Sequence, residues 1–186
     1  MEICNESRVQ EHYVKHQFTQ NLQFKCETVG LLISTSKPFV AASSDGTVVC
    51  SCCGKGCLEI KFPYKHKDNS IHTAHGDETF CLDTNLQLKK GHRYYTEIQL
   101  QMYVHDVMYY DFVIFTNIDM VIMCVSRDDN CCALLLSKCQ AFFFNNLLPE
   151  MVTHRIENTR PSSCITNNAE CLVFMPIRRI RTDDHV

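Results

Sequence analysis

One short segment constrains the fold more than any other part of the chain. Residues 58–61 read LEIK, so apolar and charged side chains alternate. In a β-strand every second side chain points to the same face. Glu59 and Lys61 therefore lie on one face, while Leu58 and Ile60 point into a core on the other. Upstream, Asp45 begins an Asp-Gly turn pair, and residues 47–49 favour a strand. If the two strands pair as a hairpin, two carboxylates and an ammonium group meet at one place.

Such a meeting of charges allows metal chemistry. Carboxylate oxygens are the ligands that a hard divalent cation such as Mg²⁺ takes, and a neighbouring lysine can orient or deprotonate water or hold a phosphate. Two simpler interpretations fit the same residues. Asp45 precedes a glycine and can serve the turn alone, and Glu59 with Lys61 can form a structural ion pair.

Composition bounds the class of protein. The chain has 186 residues and 45% hydrophobic residues, which suits one domain with a core. Its net charge of −3 gives no argument of its own for nucleic acid. We expect no membrane segment, because no uninterrupted apolar run approaches about 18 residues. The N-terminus is polar and the 13 cysteines are odd in number, so we expect a reduced intracellular protein, nuclear or cytoplasmic, rather than a secreted disulfide scaffold.

Periodicity predicts an alternation of helices and strands. The order agrees with an αβββαβ core, a mixed sheet flanked by helices, although the pattern alone leaves several α/β folds open. The predicted elements are a helix over 3–20, strands over 28–34 and 39–42, the hairpin over 45–61, a long polar irregular loop over 62–91, a helix over 92–108, strands in YYDFVIFT and DMVIMCVS, a closing helix over 129–148 that ends before Pro149, and a polar, poorly packed tail from 151.

The spacing of Asp, a hairpin and then Glu-x-Lys resembles the signature of PD-(D/E)XK nucleases. Four segments, PFVAASSDG, CSCCGKGCLEIKFPY, YYTEIQLQM and YYDFVIFT, occur in the order of the YqaJ-type viral recombinase family, relatives of phage lambda exonuclease. The resemblance runs over about residues 5–150. It implies an α/β (α+β) restriction-endonuclease-like core with the αβββαβ mixed sheet, as a nuclease domain over 1–150 followed by a tail over 151–186.

The resemblance also implies an activity. Members hydrolyse phosphodiester bonds with Mg²⁺ or Mn²⁺, and the lambda-type relatives are exonucleases on double-stranded DNA that assemble as trimers. Carried over to this chain, Asp45 and Glu59 hold one or two ions, helped by the backbone carbonyl of Ile60. Glu6, on the first helix, adds a carboxylate, and Lys61 orients the attacking water. We therefore expect a sequence-independent DNA nuclease of the recombination or DNA-processing type.

The second helix carries a further motif. The family pattern Y-x-x-x-Q falls on Tyr95 and Gln99, which implies that Gln99 holds a phosphate or a metal-bound water. The usual family form QVQ is here Glu97-Ile98-Gln99, so the first glutamine is replaced by a carboxylate. Basic loops flank the site, and the residues expected to contact the DNA backbone are Lys55, Lys65, Lys67, Arg93 and Tyr95.

Two other functions stay open. Family members carry sequence before the first conserved helix that receives the DNA end, whereas this chain begins almost at that helix, so the domain is expected to be N-terminally shortened. A catalytically impaired DNA-binding remnant is therefore the first alternative. The second is a zinc-stabilised interaction module, because Cys50, Cys52, Cys53 and Cys57 can bind zinc; their spacing is not that of a standard zinc knuckle, so Zn²⁺ is the less favoured cofactor.

Overall fold

A computed structural model describes residues 2–20, 23–74 and 76–154, with the side chains of residues 2–7 and 20 outside the described set. The elements are α1 Glu2–Gln20, β1 Lys25–Glu27, β2 Leu32–Ile33, β3 Ala41–Ala42, β4 Gly46–Cys50, β5 Gly54–Lys61, a 3₁₀ turn Tyr64–His66, α2 Ile71–Ala74, α3 Arg93–His105, β6 Tyr109–Phe115, β7 Met120–Ser126, α4 Asp129–Phe142, a π-helical turn Phe143–Leu147 and α5 Leu148–Thr153.

The main sheet is mixed and has five strands in the order β1-β4-β5-β6-β7. Strands β4 and β5 form the predicted antiparallel hairpin, with Gly46 opposite Leu58 and Cys50 opposite Gly54. Strand β5 then pairs in parallel with β6, and β6 pairs antiparallel with β7. The predicted mixed sheet flanked by helices is confirmed, with β5 in its middle.

Each face of the central strands is covered by a helix. Towards α3, the core includes Ile98, Met102 and Phe112, whereas towards α1 it includes Tyr13 and Leu58. A parallel strand pair buried on both sides needs apolar residues on both faces, which is why β5 and β6 read as nearly continuous hydrophobic segments. Glu59 interrupts that pattern on the side of α3, where it places a carboxylate within the apolar core.

The prediction of a strand over 28–34 is wrong for most of its length. The edge strand of the main sheet is β1, which pairs with β4 through Lys25 opposite Val49. Within 28–34 only β2 is extended, and it pairs with β3 in a separate two-stranded ribbon. Leu31 and Ile33 are 69% and 56% exposed, so the apolar composition that predicted a buried strand has no core to enter.

Residues 62–91 are more ordered than the predicted irregular loop. They contain the 3₁₀ turn and α2, and they bury Ile71, Phe80 and Leu82 against the α3 side of the sheet. The Asp119 carboxylate accepts hydrogen bonds from the Ser70 hydroxyl at 2.7 Å and from the Ile71 backbone N–H at 3.0 Å. This polar contact ties the segment to the β6–β7 turn.

The C-terminal helix does not end before Pro149. A π-helical turn leads into α5, where proline is tolerated because the first turn of a helix leaves its backbone N–H groups without intrahelical acceptors. Helical structure therefore runs over Asp129–Thr153, which by length and composition alone is sufficient to cross a membrane, and little of it is buried. Polar residues interrupt its apolar runs, and the expectation of no membrane segment stays a prediction. The start of the predicted tail is helical, and residues 155–186 lie outside the described residues.

Candidate active site

The hairpin register brings Asp45 to the strand that carries Glu59 and Lys61. The backbone N–H of Asp45 donates to the Leu58 carbonyl at 3.0 Å. Its carboxylate Oδ2 accepts from the backbone N–H of Ile60 at 2.8 Å. This bond fixes the Asp45 carboxylate at the strand position between Glu59 and Lys61, where its charge acts on Glu59. The structure thus brings together the three residues that the hairpin pattern indicates.

Glu59 is a buried carboxylate, 5% exposed, and its two oxygens have different partners. Oε1 accepts from Lys61 Nζ at 2.5 Å. Oε2 accepts from Gln101 Nε2 at 3.2 Å and from the Tyr110 hydroxyl at 3.3 Å. Burial raises the pKa of Glu59 to about 7, with the Lys61 ammonium opposing the rise and the Asp45 charge adding to it. The geometry therefore holds an ionisable carboxylate in a fixed orientation.

Lys61 links two carboxylates. Its Nζ also donates to Glu97 Oε1 on α3 at 3.0 Å and lies 5.2 Å from the centre of the Tyr94 ring. Burial disfavours the ammonium form, but the charges of Glu59 and Glu97 outweigh burial and raise the pKa of Lys61. The lysine is consequently a permanent cation at neutral pH.

The charges of this site suit a hard divalent cation. Glu59 and Glu97 contact the single ammonium of Lys61, and the charge of Asp45 acts on Glu59, which leaves a formal charge of −2 when all four groups are ionised. Negative charge of this size around a buried carboxylate is unfavourable without a counter-ion. Mg²⁺ and Mn²⁺ prefer oxygen ligands, and the three carboxylates here outnumber the one ammonium group.

Helix α3 contributes other residues than predicted. Gln99 lies away from the carboxylates, because its Nε2 donates to the Ser126 carbonyl at 3.0 Å and its Oε1 accepts from the Asp128 backbone N–H at 2.7 Å. It joins the end of β7 to the start of α4, and the structure does not bring it together with the other predicted site residues. Glu97 and Gln101, four residues apart, share the helix face that meets Glu59 and Lys61.

Gln101 is the residue that sequence reasoning missed. It is 1% exposed, and its Nε2 also donates to the Ser43 carbonyl at 2.8 Å, next to the turn that carries Asp45. The signal was available in the spacing, because Glu97 and Gln101 are at helical positions i and i+4. The family motif falls on Gln99, which lies on the opposite side of the helix.

On α3, Tyr94 rather than the predicted Tyr95 lies beside the site. Tyr95 is 7% exposed and its hydroxyl donates to Asp128 Oδ2 at 3.4 Å, so it is not available to a DNA backbone as predicted. Tyr94 takes the place beside the site, with Lys61 near its ring and the Arg93 guanidinium 5.2 Å from the ring centre. Arg93 is exposed, so the described part of the chain offers a cation next to the site there.

The other predicted basic contacts are dispersed. Lys65 forms an ion pair with Asp77, and Lys67 lies 4.8 Å from the centre of the Tyr64 ring. Lys55 is exposed at the start of β5, six residues from Lys61, which corresponds to roughly 20 Å along a strand. Lys55 therefore lies far from Lys61, and the role of the three lysines in DNA contact stays a prediction.

Two further predictions concern Glu6 and the cysteines. The backbone of Glu6 lies in α1, but its side chain is outside the described residues, so its role stays a prediction. The thiols of Cys50, Cys52 and Cys53 lie close together at the hairpin tip. Cys57 is fully buried in the core on the α3 side, so the predicted group of four cysteines is not formed.

Comparison with known proteins gives a family and a fold. The model of the YqaJ-like viral recombinase domain matches residues 8–108, which include the hairpin and α3. The crystal structure of an alkaline exonuclease, LHK-Exo, from Laribacter hongkongensis superposes with a TM-score of 0.55 at 18% identity, covering 82% of this chain and 72% of that chain. LHK-Exo in complex with dAMP gives 0.56 at 18% identity, covering 83% and 73%. At this identity the likeness concerns the fold. A search of curated proteins finds no match.

Proposed function

The chain belongs to the YqaJ-like viral recombinase family, and we propose on this premise that it is a divalent-metal-dependent nuclease that degrades double-stranded DNA as an exonuclease. The observation that carries the proposal is the convergence of Asp45, Glu59 and Lys61 on one point of the hairpin. The fold likeness to LHK-Exo, itself described as an alkaline exonuclease, supports the choice among nuclease types.

Asp45 and Glu59 would hold Mg²⁺ or Mn²⁺, with the carbonyl of Ile60 as the expected backbone ligand and Glu97 as an additional carboxylate of this chain. When bound, the ion supplies Lewis acidity that stabilises the negative charge gathering on a phosphate under attack. These residues fit a divalent cation because their carboxylates outnumber the one ammonium group, that of Lys61.

Lys61 acts as a donor rather than as a base. Its pKa is raised by the two carboxylates that it contacts, so its Nζ keeps all three protons at neutral pH. Such a group orients a water or binds a phosphate oxygen through hydrogen bonds, and it cannot remove a proton while it stays charged. Of the three lysine roles that the sequence left open, the electrostatic environment favours orienting water or holding a phosphate over deprotonating water.

Two groups fix the orientation of Glu59. Gln101 and Tyr110 both donate to Oε2, which leaves Oε1 towards Lys61. Ligand carboxylates held by donors of this kind bind metal with little reorganisation, since their rotamers are set before the ion arrives. The buried contacts between β5, α3 and β6 thus pre-organise the site.

DNA would approach at the start of α3. Arg93 is exposed, and its guanidinium and the Lys61 ammonium both lie close to the Tyr94 ring. Cations held in this way contact phosphate oxygens without reading bases. Because the whole chain carries a net charge of −3, this local arrangement rather than overall charge supports DNA binding.

The proposal is tested with purified full-length protein on linear double-stranded DNA, with Mg²⁺ or Mn²⁺ and with EDTA. We expect metal-dependent release of nucleotides by the wild type and none by Glu59→Gln or Lys61→Met, each checked for folding by circular dichroism. A folded wild type that binds DNA in a shift assay but does not degrade it would instead establish the catalytically impaired DNA-binding remnant.

The trimer of lambda-type relatives and the intracellular location stay predictions for this chain. Light scattering coupled to size exclusion measures the first, and localisation of a tagged full-length protein measures the second.

A further inference from the structure

Three thiols converge at the tip of the β4–β5 hairpin. Cys50 Sγ lies 3.3 Å from Cys52 Sγ, and Cys52 Sγ lies 3.3 Å from Cys53 Sγ. All three sulfur atoms fall within 4.8 Å of one another. Gly54 closes the tip with a φ of +76°, a conformation that glycine adopts without strain, so the turn is built to fold the three cysteines back on each other.

We infer that this tip binds one thiophilic d¹⁰ cation, Zn²⁺ or Cu⁺, through the three thiolates of Cys50, Cys52 and Cys53. Soft thiolate sulfur selects these ions over Mg²⁺ or Mn²⁺, which take oxygen. Three sulfur ligands satisfy Cu⁺ in a trigonal site, and they satisfy Zn²⁺ when a water completes the tetrahedron. Cys52 and Cys53 are exposed, so the fourth position faces solvent.

A backbone group also points at the thiols of the tip. The backbone N–H of Cys53 donates to Cys50 Sγ at 3.2 Å. A hydrogen bond of this kind orients a ligand sulfur before the ion arrives, as contacts around other metal ligands do.

The thiol site is separate from the carboxylates. Cys50 lies opposite Gly54, four residues along β4 from the pairing of Gly46 with Leu58, which corresponds to roughly 13 Å along a strand. A cation at the tip would therefore join the two ends of the turn without touching Asp45 or Glu59. Cation binding at the tip is therefore independent of nuclease activity.

The test uses fully reduced full-length protein in excess Mg²⁺, which occupies oxygen sites. Zn²⁺ and Cu⁺ are titrated separately into the wild type, into Cys52→Ser/Cys53→Ser, and into Cys124→Ser. Cys124 is an exposed cysteine of β7 and serves as the matched control. We expect the wild type and Cys124→Ser to bind one equivalent more of at least one ion than the double variant. Binding by the remaining thiols is common to the proteins and cancels in this comparison.

Two readouts besides stoichiometry support the assignment. Co²⁺ in place of Zn²⁺ should give a thiolate-to-cobalt charge-transfer absorption in the wild type that the double variant lacks. The bound ion should raise the melting temperature of the wild type and of Cys124→Ser by several degrees, without a comparable rise in the double variant. Both substituted side chains are exposed, and circular dichroism verifies folding.

The identity of the ion follows from which titration shows the extra equivalent. Equal stoichiometry for both ions in all three proteins would overturn the inference. So would an extra equivalent in the wild type that is lost equally in Cys124→Ser, because this would assign the ion to thiols outside the tip.

Discussion

Replacing Glu59 by glutamine should change how the stability of the metal-free protein depends on pH. The substitution keeps the shape of the side chain and removes its titration. Burial raises the pKa of Glu59 from 4.5 to about 7, so the folded protein holds a proton there that the unfolded chain has released. Between these two pKa values the folded state binds more protons than the unfolded state, and stability must therefore fall as pH rises through the window.

The size of the effect follows from the shift. Between about pH 5 and about pH 8, a carboxyl with these two pKa values lowers the free energy of unfolding by roughly 2 to 3 kcal/mol. Lys61 adds nothing over this range, because its pKa starts at 10.5 and is raised by its carboxylate partners, so it is charged in both states. Asp111 also has a pKa raised by burial, but it contributes equally to both proteins.

The assay is urea unfolding of wild type and Glu59→Gln in EDTA at the two pH values. We expect the wild type to lose roughly 2 to 3 kcal/mol more than the variant on going to the higher pH, and the variant to be the more stable protein there. Added Mg²⁺ should stabilise the wild type at the higher pH by binding the carboxylate form, and should leave Glu59→Gln nearly unchanged.

Identical pH slopes in the two proteins would refute the reasoning, because they would mean that Glu59 titrates alike in the folded and unfolded chain. A wild type that gains stability over this range relative to the variant would show that the Lys61 ion pair outweighs burial.

Four further substitutions separate catalytic from structural contacts. Gln101→Leu removes a hydrogen-bond donor to the buried Glu59 carboxylate, so it should lower the nuclease rate by about 10- to 100-fold. Gln99→Leu leaves two backbone groups unpaired, so it should instead lower the free energy of unfolding in urea by about 1 to 3 kcal/mol. Glu97→Gln removes one carboxylate and should weaken Mn²⁺ binding by about tenfold in calorimetry, an unchanged affinity counting against its place beside the ion. Tyr13→Phe removes the 2.5 Å hydrogen bond to buried Asp111 and should cost about 1 to 3 kcal/mol in unfolding without affecting Mn²⁺ affinity.

The hairpin and the sheet were predictable because their signal is local. Alternation fixes which residues of β5 share a face, and the turn at Asp45 sets the register, so the meeting of Asp45, Glu59 and Lys61 follows from about 17 consecutive residues. The order of the remaining strands and helices followed from periodicity together with the family resemblance.

The wrong predictions concern features that tertiary packing, rather than the local sequence pattern, determines. Residues 31–33 are apolar enough for a core strand, but the sheet edge is taken by the polar β1, which pairs with β4. On α3, a sequence motif cannot tell which side of the helix meets the site, because a shift of two residues rotates a side chain by about 200°. Gln99 and Gln101 differ by that rotation, and only their contacts distinguish them.

The C-terminal helix illustrates a different limit. Pro149 predicts a helix end, yet the π-helical turn before it frees the backbone positions that proline would otherwise disrupt. Single-residue rules do not anticipate such a turn, because it depends on how the preceding residues Phe143–Leu147 are accommodated.

Degradation of linear double-stranded DNA by Asp45→Asn, measured beside Asp106→Asn in the presence of Mn²⁺, tests the central claim most directly. Both substitutions exchange a carboxylate for an amide, but Asp106 is 96% exposed at the end of α3, where asparagine also suits the left-handed backbone. We expect Asp45→Asn to abolish metal-dependent degradation, whereas Asp106→Asn should degrade DNA like the wild type. Equal activity of the two folded variants would contradict a metal-binding role for Asp45.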